Sequence, residues 1–140
     1  MVRQAIYGLL AVAWAAVVAV YFYVPSSPYI GLGGDSVTPA RVRVFDEVTV
    51  NRHFEITRDE VMFITRSMVR GTCPKDCEII DLPSGYLDSA PGVYERARKQ
   101  TIPSTPSPGT WVLTFSVKWE DRFGRPYTYP LVPLTIEVVE

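Results

Sequence analysis

Trp111-Val112-Leu113-Thr114-Phe115-Ser116-Val117-Lys118-Trp119 puts five large apolar residues at every second position, with Val112, Thr114, Ser116 and Lys118 between them. Successive side chains of a strand point to opposite faces, so Trp111, Leu113, Phe115, Val117 and Trp119 share one buried face. This reads as the central strand of a core. Working back along the chain, Val48, Val50, Phe54 and Ile56 repeat the pattern against Thr49, Asn51, His53, Glu55 and Thr57, and Arg52 interrupts it at an inward position. A bulge or a snorkelling stem would accommodate that arginine.

The same alternation predicts strands near 41–45, 47–57, 60–70, 77–82, 93–102, 110–120 and 127–139. Twelve prolines and nine glycines supply the turns between them, among them Pro83-Ser84-Gly85, Ala90-Pro91-Gly92, Ser107-Pro108-Gly109 and Phe123-Gly124-Arg125-Pro126. No pair of strands needs a helical crossover. The expected fold is all-β: a seven-stranded antiparallel two-sheet sandwich over residues 40–140.

Upstream, residues 25–39 (PSSPYIGLGGDSVTP) have the composition of a flexible linker. The Gly31-Leu32-Gly33-Gly34 cluster has no strand-then-helix setting and is not read as a phosphate loop. Residues 1–24 differ again. Ala5 to Val24 carries no charge, and no ionised side chain lies between Arg3 and Asp35. Twenty helical residues span about 30 Å, the thickness of a hydrocarbon core, so a transmembrane signal-anchor is expected. Tyr21, Phe22 and Tyr23 would form the interfacial belt at one end and Arg3 the flank at the other. The positive-inside bias then keeps the N-terminus cytoplasmic and delivers the domain outside the cytoplasm, periplasmic in a bacterium. The competing reading is a signal peptide cleaved near Ala13 or Ala15, which would release a secreted protein.

With 140 residues the chain has room for one modest domain, and 14 Lys and Arg against 15 Asp and Glu give a net charge of −1. No global positive field recruits nucleic acid, and no nucleic-acid partner or small-molecule cofactor is expected.

Ile102-Pro103, then Pro108-Gly109-Thr110-Trp111-Val112-Leu113, an alternating strand, a Gly124 hairpin and a last strand ending Thr135-Ile136-Glu137-Val138 together resemble the C-terminal half of immunoglobulin-like modules found outside bacterial cells and on bacteriophage proteins. The resemblance covers residues 40–140. It implies a sandwich used for adhesion, spacing or assembly, here in a single-pass membrane protein. The chain departs from antibody-type domains in lacking their inter-sheet cysteine pair.

Residues able to carry chemistry are few. Cys73 and Cys77 are the only cysteines, and in an exported domain they read as a disulfide closing a small loop. No metal site is expected, since no histidine or further cysteine lies near them. His53 falls on the outward phase of its strand and reads as a solvated sheet residue. No serine has a nucleophile-elbow context, so an envelope hydrolase lacks a positive sign. Asp59-Glu60 and Glu120-Asp121 read as turn residues. Trp111, Trp119, Tyr127 and Tyr129 read as packing, not as a carbohydrate platform. Arg96, Arg98 and Lys99 form a basic stripe on a candidate edge strand, protective against sheet pairing or a surface for an acidic partner. The expectation is a non-catalytic membrane protein that presents its domain to a protein partner in an envelope or virion, with the lipid bilayer as its other contact.

Overall fold

The computed structural model describes residues 1–22, 26–87 and 90–140. Helix α1 (Val2–Phe22) is followed by β1 (Tyr29–Gly31), β2 (Ser36–Thr38), β3 (Arg41–Val42), β4 (Glu47–Ile56), β5 (Met62–Thr72), β6 (Asp76–Leu87), β7 (Gly92–Thr101), β8 (Gly109–Glu120), β9 (Pro126–Pro130) and β10 (Leu134–Val138). The chain is mostly β with one N-terminal apolar helix.

The strands form two sheets. In the first, β4 is central, with β7 on one side and β1 and β2 on the other. In the second, β8 is central, with β5 and then β6 on one side and β9, β10 and β3 on the other. Trp111, Leu113, Phe115, Val117 and Trp119 all face the buried space between them, as alternation requires.

Three features differ from the expected seven antiparallel strands. Residues 25–39 are not simply a tether: β1 and β2 both pair antiparallel with β4, and Pro28 and Tyr29 are buried. Their short length and glycine content hid the pattern. The expected strand 127–139 is broken at residues 131–133, where Pro133 has no N–H to continue a ladder. β9 therefore pairs with the second half of β8 and β10 with the first half. Finally, β3 lies parallel to β10, so the second sheet is mixed. These changes bring the count among the described residues to ten.

Helix α1 packs no side of itself into the domain. Val2–Tyr21 is long and apolar enough to cross a membrane, and none of it is buried by protein. Its C-terminal end meets the β8–β9 hairpin, where the Arg125 guanidinium donates to the carbonyls of Val20 (2.8 Å) and Tyr21 (3.1 Å). Those carbonyls belong to the last turn, which has no intrahelical donor for them.

Candidate functional site

Alternation fixes which residues enter the space between the sheets. On β4 they are Val48, Val50, Arg52, Phe54 and Ile56; on β5, Met62, Ile64, Arg66 and Met68; on β7, Tyr94, Arg96, Arg98 and Gln100. On each strand arginine occupies the middle of the inward series. Register aligns them, with Arg52 opposite Arg96 and Val50 opposite Arg98. The core accordingly divides in two. Val48, Val50, Met68, Trp111 and Leu113 belong to one apolar cluster, and Phe54, Ile56, Met62, Val117 and Trp119 to the other. An arginine layer lies between them.

Arg52 is the deepest member, its side chain only 10% exposed. β4 pairs with β7 without any shift of register across it, and the stem does not reach solvent, so neither a bulge nor snorkelling accommodates this residue. A buried ion pair does. The β1–β2 edge is interrupted at the level of Arg52, and the loop Leu32–Asp35 fills the gap. Gly33 and Gly34 take the positive φ values of +87° and +75° that the bend needs. Asp35 then binds the Arg52 guanidinium through Oδ2 (2.6 Å) and accepts the His53 N–H through Oδ1 (3.1 Å). Arg52 also donates to the Val132 carbonyl (3.1 Å), and its guanidinium carbon lies 4.3 Å from the centre of the Phe115 ring. Its Nη2 is buried with no partner among the described residues.

Arg66 donates to the Pro83 carbonyl (3.0 Å). That carbonyl is available because the β5–β6 register shifts between Ile64 and Arg66, leaving an extra residue on β6. Burial, and then the positive charge of Arg98, lowers the Arg66 pKa from its ordinary value. Arg96 lies over the Tyr94 ring, 4.7 Å from its centre. Arg66, Arg96 and Arg98 have no ion-pair partner among the described residues.

Between these arginines and the apolar side chains Phe54, Ile64, Leu87, Phe115 and Leu131 lies a cleft of about 60 Å³. Its walls offer no carboxylate, imidazole, thiol or aliphatic hydroxyl among the described residues. Chemically the cleft can hold an anion against guanidinium forks and apolar surface; it has no paired acid and base.

The basic stripe read from the sequence is thus split by phase. Arg96 is half-buried on the inward phase, Arg98 shares that phase but is exposed, and Lys99 stands at the rim. β7 pairs only with β4, so it is an edge strand among the described residues. Sequence reasoning missed Arg66 and Asp35. Arg66 carried the cue that singled out Arg52, a charge at an inward position, whereas Asp35 carried none.

The other candidates lie elsewhere. Cys73 and Cys77 stand at disulfide distance, with Cα atoms 4.9 Å apart, at the β5–β6 turn. Arg3 is in the first turn of α1 and Tyr21 is exposed near its end. Tyr23 and the side chain of Phe22 are outside the described residues. His53 faces outward, opposite Glu95 of β7. Glu60 pairs with Arg58 (2.7 Å) and Asp121 with Arg125 (2.7 Å), so both carboxylates hold turns. Burial acts to raise the Asp121 pKa, but the Arg125 and Phe123 backbone N–H groups and the Arg125 guanidinium outweigh it and hold the carboxyl below its usual range. Trp111 and Trp119 are buried, and Tyr127 stacks on Trp119 at 5.7 Å. No group of three or more His, Cys, Asp or Glu side chains suited to a metal occurs among the described residues.

No protein-family model matches the chain, and no curated protein matches it. Among solved structures, the alkylpurine DNA glycosylase AlkC of Pseudomonas fluorescens, bound to DNA containing an abasic site analogue, is similar at a TM-score of 0.50 and 18% identity, over 83% of this chain and 32% of that one. The sporulation control protein Spo0M of Bacillus subtilis gives 0.45 and 12%, over 82% and 50%. The ASH/PapD-like domain 7 of human CEP192 gives 0.41 and 11%, over 84% and 91%. The chain thus spans about a third of the glycosylase and half of Spo0M, and its likeness to the glycosylase is one of fold alone.

Proposed function

We propose that this chain is a single-pass membrane protein in which α1 anchors an immunoglobulin-like β-sandwich outside the cytoplasm, and that the sandwich binds a protein partner of an envelope or virion without catalysing a reaction. One observation carries the reading: from Ala5 onward α1 is apolar on every side, and no protein surface covers it. At 1.5 Å per residue its 21 residues reach about 31 Å, and so much bare apolar surface is stable only in lipid. The bonds from Arg125 to the Val20 and Tyr21 carbonyls support a retained anchor over a cleaved signal, because cleavage near Ala15 would leave the hairpin facing an apolar stub. Arg3 and the terminal amine support a cytoplasmic N-terminus. The arginine-lined cleft beside the β7 edge is the face with unspent binding capacity, and its lack of an acid–base pair favours binding over catalysis.

Carbonate washing of membranes from cells expressing the full chain tests the anchor. The intact chain is expected in the pellet, and intact chain in the supernatant overturns the reading. N-terminal sequencing of the same material is expected to begin at Met1; a start near Ala15 makes the protein secreted. Protease added outside sealed cells is expected to degrade the sandwich, and full protection reverses the orientation.

A further inference from the structure

Arg52, Arg66 and Arg96 enter one inter-sheet layer, exposed Arg98 borders the same cleft, and Asp35 is the sole carboxylate paired with any of the four among the described residues. Desolvating a charge costs several kcal/mol unless it is compensated. Arg66 and Arg96 are part-buried and Arg98 is exposed, so each bears only part of that cost, but four guanidinium groups around one cleft with a single counterion leave a concentration of positive charge that an anion would offset. The buried, unpartnered Nη2 of Arg52 is an independent sign. Buried guanidinium donors are ordinarily satisfied, and this one belongs to a side chain nine-tenths buried that lines the cleft.

The space limits what can enter. A water needs roughly 10–15 Å³ of such volume, so about 60 Å³ holds roughly four to six non-hydrogen atoms. That fits a carboxylate with its first two or three carbons, or a bare phosphate. The walls decide between them. Tyr29, Lys99 and Gln100 add polar atoms to the lining, but Phe54, Ile64, Leu87 and Phe115 present hydrocarbon that desolvates a hydrated tetrahedral anion without return, whereas an alkyl stem packs against them. The guanidinium forks match the two oxygens of a carboxylate.

We propose that the arginine-lined cleft binds a carboxylate carried on a short apolar stem. Arg52 through its free Nη2, with Arg66, Arg96 and Arg98, supplies donors to the oxygens, and the stem lies against the apolar side chains of the same cleft. The carboxylate could be presented by a free short-chain acid or by a glutamate side chain of a partner. This deepens the binding role proposed above and rests on that role alone, not on the membrane anchor.

The test uses the full chain, ¹⁵N-labelled at arginine, in uncharged detergent micelles. Three probes are titrated separately: sodium butyrate, a capped extended peptide with one central glutamate, and sodium phosphate, with the glutamine version of the peptide as control. Butyrate or the glutamate peptide is expected to shift the guanidinium Nε–H signals of the cleft arginines saturably, with the glutamine peptide at least tenfold weaker. A glutamate peptide tenfold tighter than butyrate assigns the carboxylate to a partner chain; equal or weaker binding assigns it to a free acid. Arg96→Gln with Arg98→Gln, checked for an unchanged far-ultraviolet spectrum, is expected to weaken binding at least tenfold. No saturable shift with either carboxylate overturns the proposal, as does phosphate binding as tightly as butyrate. If the carboxylates fail while membrane pulldown with the same chain recovers a partner, the ligand assignment falls and the binding role stands.

Discussion

Arg52 shows how one residue can be recognised in the sequence and still be explained only by the fold. Its inward phase was visible in the β4 alternation, but its counterion comes from a glycine-rich loop 17 residues earlier. Breaking a buried pair strands a charge, so Asp35→Asn is expected to cost about 3–5 kcal/mol. Adding Arg52→Met removes the stranded charge, while the substituted amide still offers an acceptor for the His53 N–H. The double variant is expected to recover to within about 1.5 kcal/mol of the parent. Urea denaturation of the four proteins closes the cycle, and a double variant no better than Asp35→Asn would refute a buried ion pair. Gly71 offers a second case. It adopts φ +87° in the β5–β6 hairpin, and a Cβ there would collide with the Asp76 carbonyl oxygen. Gly71→Ala is expected to destabilise by at least about 2 kcal/mol, combining left-handed backbone strain with that clash.

At the scale of elements, the two hairpins at the ends of long strands carry separable contributions. Cys73 and Cys77 stand at disulfide distance with a sequence separation of only four, so a bond between them would contribute a small share through chain entropy, about 2 kcal/mol. Cys73→Ser with Cys77→Ser is expected to lower stability by about that amount and leave the fold intact. The β8–β9 hairpin depends on Asp121, which accepts the backbone N–H groups of Phe123 (2.8 Å) and Arg125 (2.9 Å) through one oxygen and the Arg125 guanidinium (2.7 Å) through the other. Its folded pKa lies below the unfolded one. Its contribution is therefore complete above the unfolded value, near pH 4, and is lost as pH falls through the folded value. Asp121→Asn is expected to be less stable than the parent at pH 7, and the difference is expected to shrink to nothing in strong acid. A difference independent of pH would assign the hairpin's stability to something other than this carboxylate.

At the scale of the whole molecule, the arginine layer divides what could have been one continuous core. Natural proteins carry such destabilising features where function needs them. Arg66→Met with Arg98→Leu is expected to raise stability by about 1 kcal/mol, a modest gain because Arg98 is largely exposed, and to abolish carboxylate binding. Thermal denaturation and the butyrate titration on one preparation read both effects. A variant that loses stability would make the layer a structural device and not a site.

Sequence periodicity alone determined the apolar N-terminal helix, the β character of the rest and the segments that became β4, β5, β7 and β8. These depend on local alternation and length, which residue order states directly. Tertiary structure decided what depends on partners distant in the chain. It paired β1 and β2 with β4, set β3 parallel to β10 and broke the final segment around Pro133. It also gathered Arg52, Arg66, Arg96 and Arg98 around one cleft. Each of these arginines follows its own strand's pattern, but which strands face one another across the sandwich is set by burying both sheets at once, and no stretch of sequence encodes that alone.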